Sequence, residues 1–132
     1  GDRASLARAE EAARGEGLRR AVPLEVAGAF HSPLMEPARA RLEEAIAATT
    51  FRPARFPVFS NATAAPSRDP VALRRNLVVQ LTAPVLFEAS VRRALGDGHT
   101  RFLELSPGRV LTGLVKKIDR SAAVEACDEG AA

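Results

Sequence analysis

The stretch "RFLELSPGRVLTGLVKKI", residues 101–118, decides the fold class. Its first five residues make a compact apolar run of strand length. Ser106-Pro107-Gly108 then turns the chain, with Ser106 reading as a hydroxyl cap and Pro107 as the first helical residue. Val110, Leu111, Leu114, Val115 and Ile118 follow at helical spacing and form one apolar stripe. A strand that feeds straight into an amphipathic helix is the unit from which α/β folds are assembled. Residues 119–132 beyond it read as a frayed tail.

The same alternation runs upstream. "FPVFSN" (56–61) reads as a short strand and "ATAAPSRDP" (62–70) as a loop. Asp69-Pro70 opens a helix that carries Leu73, Leu77 and Val78 towards Gln80. Pro84 reads as the start of another, with Val85, Phe87, Val91 and Leu95 as its apolar set and Gly96 and Gly98 as its stop. Nearer the N-terminus, Ser32-Pro33 signals a helix with Met35, Ala38, Leu42, Ala45 and Ile46 on one face. "RRAVPLEVAGAF" (19–30) alternates as a strand, with Pro23 confining it to an edge or a bulge. Residues 4–15 read as a helix stopped by Gly15 and Gly17. Strands alternating with helices predict an α/β fold, and no internal repeat is visible.

A chain of 132 residues, 46% apolar and 27% charged, has enough material for one globular domain. It contains no Trp or Tyr, and only six Phe, which leaves little for a base-stacking surface. No nucleic-acid motif supports the net charge of +3 as a nucleic-acid footprint. The paired arginines Arg19-Arg20, Arg74-Arg75 and Arg92-Arg93 read as solvated helix faces, and their shallow positive field suits an acidic partner. Cys127 is the single cysteine, so no internal disulfide forms, and without a Cys/His cluster no metal site is expected. No signal peptide and no apolar run of membrane-spanning length appears, so the expected location is cytoplasmic, with no membrane partner. The chain starts with Gly inside a charged helical pattern, which suggests a piece of a longer protein.

His31, in "GAFHSPLM" (28–35), is the candidate catalytic residue. It lies between a strand and a helix start, a frequent place for functional side chains in α/β sheets. On local features it reads either as a general base or as a surface or capping histidine. A histidine base needs a nucleophile to activate. None of Ser5, Ser32, Ser60, Ser67, Ser90, Ser106 and Ser121 sits in a G-x-S-x-G elbow. Ser32 reads better as a cap, Cys127 lies in the tail, and His99 falls in a turn. "ELSPGRVLTG" lacks the glycines and Lys-Ser/Thr of a phosphate-binding loop.

Four blocks in order, "GAFHSPLMEPARARLEEAI" (28–46), "FPVFSNATAAP" (56–66), "LVVQLTAPVLFEASV" (77–91) and "FLELSPGRVLTGLVKK" (102–117), resemble one family. It is the malonyl-CoA:acyl carrier protein transacylases of fatty-acid synthesis, with the acyltransferase domains of polyketide synthases. The resemblance covers about residues 1–120. It implies the C-terminal part of a hydrolase-like acyltransferase fold over 30–120, preceded over 1–29 by the last helix and strand of a ferredoxin-like subdomain, with a flexible tail at 121–132. It implies transfer of malonyl from coenzyme A to the phosphopantetheine thiol of acyl carrier protein through a Ser-His ping-pong mechanism, with malonyl-CoA as substrate and no cofactor. His31 matches the family's catalytic histidine, and the Gln80 main-chain carbonyl matches the group that orients it. Phe30 matches a position where, in polyketide acyltransferases, Phe accompanies malonyl and Ser methylmalonyl choice, and Asn61 falls near the acyl pocket. The nucleophilic serine, the carboxylate-binding arginine and the oxyanion hole lie upstream in the family and are not in this chain. The expected partners are acyl carrier protein, the coenzyme A thioester and the missing N-terminal half, and the isolated chain is expected to be inactive. The alternative is a non-catalytic module that binds acyl carrier protein or a complementary acyltransferase half.

Overall fold

The computed structural model describes residues 2–18 and 26–127. Helices and short strands are mixed along the chain, as in an α/β fold. The order is α1 (Arg3–Gly15), a 3₁₀ turn (Pro33–Met35) running into α2 (Glu36–Ala47), β1 (Val58–Phe59), β2 (Pro66–Ser67), α3 (Pro70–Val79), α4 (Phe87–Gly96), β3 (Arg101–Glu104), α5 (Val110–Ile118) and β4 (Ala123–Ala126). β1 and β2 pair antiparallel, Val58 with Ser67 and Phe59 with Pro66. β3 and β4 pair parallel, Arg101 with Ala123 through Glu104 with Ala126. Most of the strand read over 19–30 lies outside the described residues, and its described end, 26–30, holds no strand.

The helix starts follow local capping chemistry. Asp2 accepts the Ser5 N–H at 2.8 Å and so begins α1. Asp69 accepts the N–H groups of Val71 and Ala72 at 3.1 and 3.2 Å, with Pro70 in the first turn of α3, as its sequence signal requires. At Ser32-Pro33 the helix begins as read, but the serine does not cap it. Its Oγ donates instead to the Ala29 carbonyl at 2.7 Å, tying down the approach to the helix. Pro84 does not start α4 either. The N–H groups of Leu81, Thr82 and Ala83 fold back on the carbonyls of Val78 and Val79, and the Leu86 N–H donates to Asn61 O at 2.8 Å, so helical geometry begins only at Phe87.

The β3–α5 junction departs further from the sequence reading. Ser106 does not cap α5 and Pro107 is not helical; the helix begins at Val110 after Gly108 turns at φ +91°. The cap is the Glu104 carboxylate at the end of β3, which accepts from Leu111 N (3.0 Å), Thr112 N (2.8 Å), Thr112 Oγ1 (2.7 Å) and Ser106 Oγ (3.0 Å). Glu104 is only 5% exposed. Four donors hold the ionised form, the Thr112 hydroxyl foremost, so its pKa falls from 4.5 to about 2 against the opposing effect of burial.

The expected frayed tail instead contains β4. Ala123 N donates to Thr100 O at 3.0 Å and Cys127 N to Glu104 O at 2.9 Å, while Lys116 Nζ reaches the Ala122 carbonyl at 2.6 Å. Ala- and Glu-rich sequence has little strand propensity, and here long-range pairing overrides it. Val91, Val115 and Ala122 form the buried centre, with Phe87, Leu95, Phe102, Ile118 and Val124 packed around it. Among the described residues no helix is long and apolar enough to cross a membrane.

Candidate active site

His31 stands at φ +63°, in the left-handed region where histidine is less disfavoured than most residues but still held at a cost. Two anchors fix it there. Its main-chain N–H donates to the Leu81 carbonyl at 2.9 Å, and its ring Nδ1 lies 2.8 Å from the Gln80 carbonyl. A carbonyl oxygen only accepts, so Nδ1 carries the hydrogen, and in the neutral ring Nε2 keeps its lone pair. Both carbonyls lie just past the last helical residue of α3, Val79: Gln80 is its C-cap and Leu81 the residue that follows. Positive charge developing on the ring faces the negative end of the α3 dipole. A non-glycine backbone held in the left-handed region by outside contacts is a common property of functional positions.

The ring opens on a cavity of about 270 Å³ lined by Phe30, Leu42, Ile46, Leu77, Gln80 and Leu81. Phe30 forms its apolar wall while remaining 55% exposed. Gly28 lies under that ring, and a Cβ there would come 3.2 Å from it and displace it by a few tenths of an ångström. Leu77 and Gln80 also line a second cavity of about 250 Å³, on whose wall Ser60, Asn61 and Asn76 lie. Phe30 and Asn61, read together as acyl-pocket residues, therefore line neighbouring cavities with Gln80 common to both. A third cavity of about 270 Å³, largely apolar, lies between β3, α4 and α5 and is also touched by Asn61.

The remaining candidates stay apart from His31. Ser32 is engaged with Ala29, Cys127 is exposed beyond β4, and His99 is exposed in the turn before β3. Among the described residues no three His, Cys, Asp or Glu side chains gather as metal ligands. The Leu81 carbonyl and the buried Asn76 were not singled out in the sequence. No local signal marks a main-chain acceptor, whereas an Asn amid the apolar positions of α3 is a recognisable anomaly.

No family profile matches the chain. It is 44% identical over 112 residues to the malonyl CoA-acyl carrier protein transacylase of Bacillus subtilis, covering 85% of this chain and 35% of the relative. The transacylase of the same name from Staphylococcus aureus is 37% identical over 120 residues, covering 91% and 39%. Among solved structures, a malonyl-transacylase in complex with a type II polyketide acyl-carrier protein superposes at a TM-score of 0.94 with 34% identity, over 99% of this chain and 42% of the other. An acyl-carrier-protein S-malonyltransferase from Burkholderia pseudomallei superposes at 0.90 with 35% identity, over 96% and 41%. The chain spans little more than a third of the length of the curated relatives it matches. It belongs to the malonyl CoA-acyl carrier protein transacylase family, of which it corresponds to a C-terminal portion.

Proposed function

We propose that the chain supplies the histidine half of an acyltransferase that moves malonyl from coenzyme A to the phosphopantetheine thiol of acyl carrier protein. The observation that carries this reading is the double anchoring of His31 on the Gln80 and Leu81 carbonyls, which leaves Nε2 as the proton acceptor. The Gln80 carbonyl does the orienting that an aspartate does in a serine-histidine-aspartate triad.

In the first half-reaction a serine hydroxyl from the upstream part of the protein attacks the malonyl thioester carbonyl. His31 Nε2 takes the hydroxyl proton, the C–S bond breaks, and the same proton passes to the departing coenzyme A sulfur. In the second half-reaction Nε2 takes the proton of the carrier-protein thiol as its sulfur attacks the malonyl-serine ester. The C–O bond breaks and the proton returns to the serine oxygen. The Phe30 ring beside His31 occupies the space that an α-methyl branch would need, which favours malonyl over methylmalonyl. Asn61, the other acyl-pocket residue of this reading, lies across Gln80 on the neighbouring cavity. Residues 30–120 form the C-terminal part of the hydrolase-like subdomain, after the end of a ferredoxin-like one. The nucleophile, the carboxylate-binding arginine and the oxyanion hole come from the N-terminal part, so this chain alone does not turn over. The partial coverage of every relative described above and the carrier-protein complex among the structural neighbours support this assignment.

The test is a chimera in which this chain replaces the matched segment of the Bacillus subtilis relative. Malonyl transfer from malonyl-CoA to acyl carrier protein is expected in the chimera. His31→Ala is expected to lower it by roughly 10²–10⁴-fold or more with far-UV circular dichroism unchanged. Undiminished turnover in His31→Ala overturns the reading.

A further inference from the structure

Ser32 is half-buried, and its hydroxyl donates to the Ala29 carbonyl at 2.7 Å instead of capping the helix it precedes. The bond spans three residues, and the two it encloses, Phe30 and His31, are the central residues of a turn. A positive φ at the third position of a turn is ordinarily supplied by glycine or asparagine. Here it belongs to a histidine, at φ +63°. Pro33 favours extended backbone in the residue before it, and Ser32 lies at φ −138° and ψ 162°. The Ser32 main-chain carbonyl accepts the Met35 N–H at 3.0 Å. The serine is therefore fixed from its C-terminal side, and its side chain reaches back past the histidine to hold the chain that enters the turn.

We infer that Ser32 is a positioning residue for the His31 base, its hydroxyl clasping the turn whose left-handed backbone sets the ring on the Gln80 carbonyl. This inference rests on the acyl-transfer reading above. The bonds to the Leu81 and Gln80 carbonyls hold His31 by its N–H and by its ring. Neither holds Ala29 or Phe30, on the entering side of the turn. Without the serine hydroxyl the Ala29 carbonyl loses this donor, and the strain of the left-handed residue falls on the two remaining bonds. That strain and the worth of one hydrogen bond are of similar size, so a single bond decides how much of the time the turn stays closed. His31 is exposed, so packing contributes little to holding its ring. A ring that leaves Gln80 loses the bond that keeps hydrogen on Nδ1 and the lone pair on Nε2. Ser32 thus acts on the reaction through the base rather than on the substrate.

The experiment compares Ser32→Ala and Ser32→Thr, both in this chain and in the chimera with the Bacillus subtilis relative. In the chimera, the rate of malonyl loading at saturating malonyl-CoA is expected to fall roughly three- to tenfold in Ser32→Ala, with the half-saturating concentration unchanged. Ser32→Thr keeps a hydroxyl on a side chain that favours extended backbone, and it is expected to restore the rate. In this chain, long-range ¹H–¹⁵N spectra are expected to show hydrogen on Nδ1 of His31 in the parent and in Ser32→Thr. The same ring-nitrogen shifts are expected to move towards those of a free histidine in Ser32→Ala. Ser32→Val, which matches threonine in shape without the hydroxyl, serves if Ser32→Ala does not fold, and is expected to show the same losses. The inference is overturned if a folded variant lacking the hydroxyl loads malonyl at the parent rate, or if Ser32→Thr fails to restore it. It is also overturned if the rate falls while the ring-nitrogen shifts stay those of the parent, which would make the hydroxyl a substrate contact. A lowered urea midpoint with rate and shifts unchanged overturns it too, leaving the hydroxyl a structural tie. The acyl-transfer reading fails separately, through undiminished turnover in His31→Ala, and the ring-nitrogen measurement involves no turnover.

Discussion

Replacing His31 by glycine and by alanine separates the chemistry of the ring from the cost of its backbone. Both substitutions remove the ring and its bond to the Gln80 carbonyl, an equal loss of about 1 kcal/mol. They differ at φ +63°, which the main-chain bond to Leu81 continues to impose. In this region the alanine Cβ costs about 1–2 kcal/mol, and glycine is free of that cost. Glycine gives back roughly 0.5–1 kcal/mol in chain entropy on folding. His31→Gly should therefore be more stable than His31→Ala by about 0.5–1 kcal/mol, the reverse of the usual order of these two residues. With a urea slope of about 1–3 kcal/mol/M, this is a midpoint higher by roughly 0.2–1 M in equilibrium unfolding of the chain. In the chimera both variants should be equally silent. Equal or inverted stabilities would mean that the segment relaxes out of the left-handed region once the ring is gone. The Leu81 bond would then not dictate the backbone, and His31 would not be doubly anchored.

The other predictions concern capping, packing and substrate choice. The Glu104 carboxylate is depressed to about 2 from 4.5, so its contribution is full above about pH 4.5 and is lost as pH falls towards 2. Urea midpoints measured across that window should fall for the wild type and stay much flatter for Glu104→Gln, which should also be less stable at pH 7; parallel profiles would exclude the cap. Val115→Ala deletes two methyl groups from a residue 4% exposed between α4 and β4, and transfer plus residual-cavity terms give a loss of about 1.5–2.5 kcal/mol in urea unfolding. A loss under about 0.5 kcal/mol would place the core elsewhere. Phe30→Ser in the chimera should raise the ratio of methylmalonyl to malonyl kcat/KM by roughly 10–200-fold, and an unchanged ratio would remove Phe30 from acyl choice.

The sequence displayed the helices well because their signals are local. Asp69-Pro70 caps α3 as it reads, and the stripe from Val110 to Ile118 is α5. The misreadings involve partners distant along the chain. Glu104 caps α5 from seven and eight residues away, so the nearer Ser106 drew the assignment. β4 has no strand-forming residues except Val124 and exists through its pairing with β3. Pro84 carries a start signal that the Asn61–Leu86 bond displaces. The site was legible only in part. His31 is anomalous locally, but its ring partner is 49 residues away and is a main-chain oxygen, which no side-chain pattern encodes. That link came from the ordered resemblance of four blocks and not from spacing.

The most direct test of the central claim is the tautomer of His31, read from the ring nitrogen shifts in long-range ¹H–¹⁵N spectra of the chain at a pH where the ring is neutral. The double anchor predicts hydrogen on Nδ1, donated to the Gln80 carbonyl, with a bare Nε2 able to take a proton from a nucleophile. Hydrogen on Nε2 would contradict it, because that ring could neither bond to Gln80 nor serve as the base.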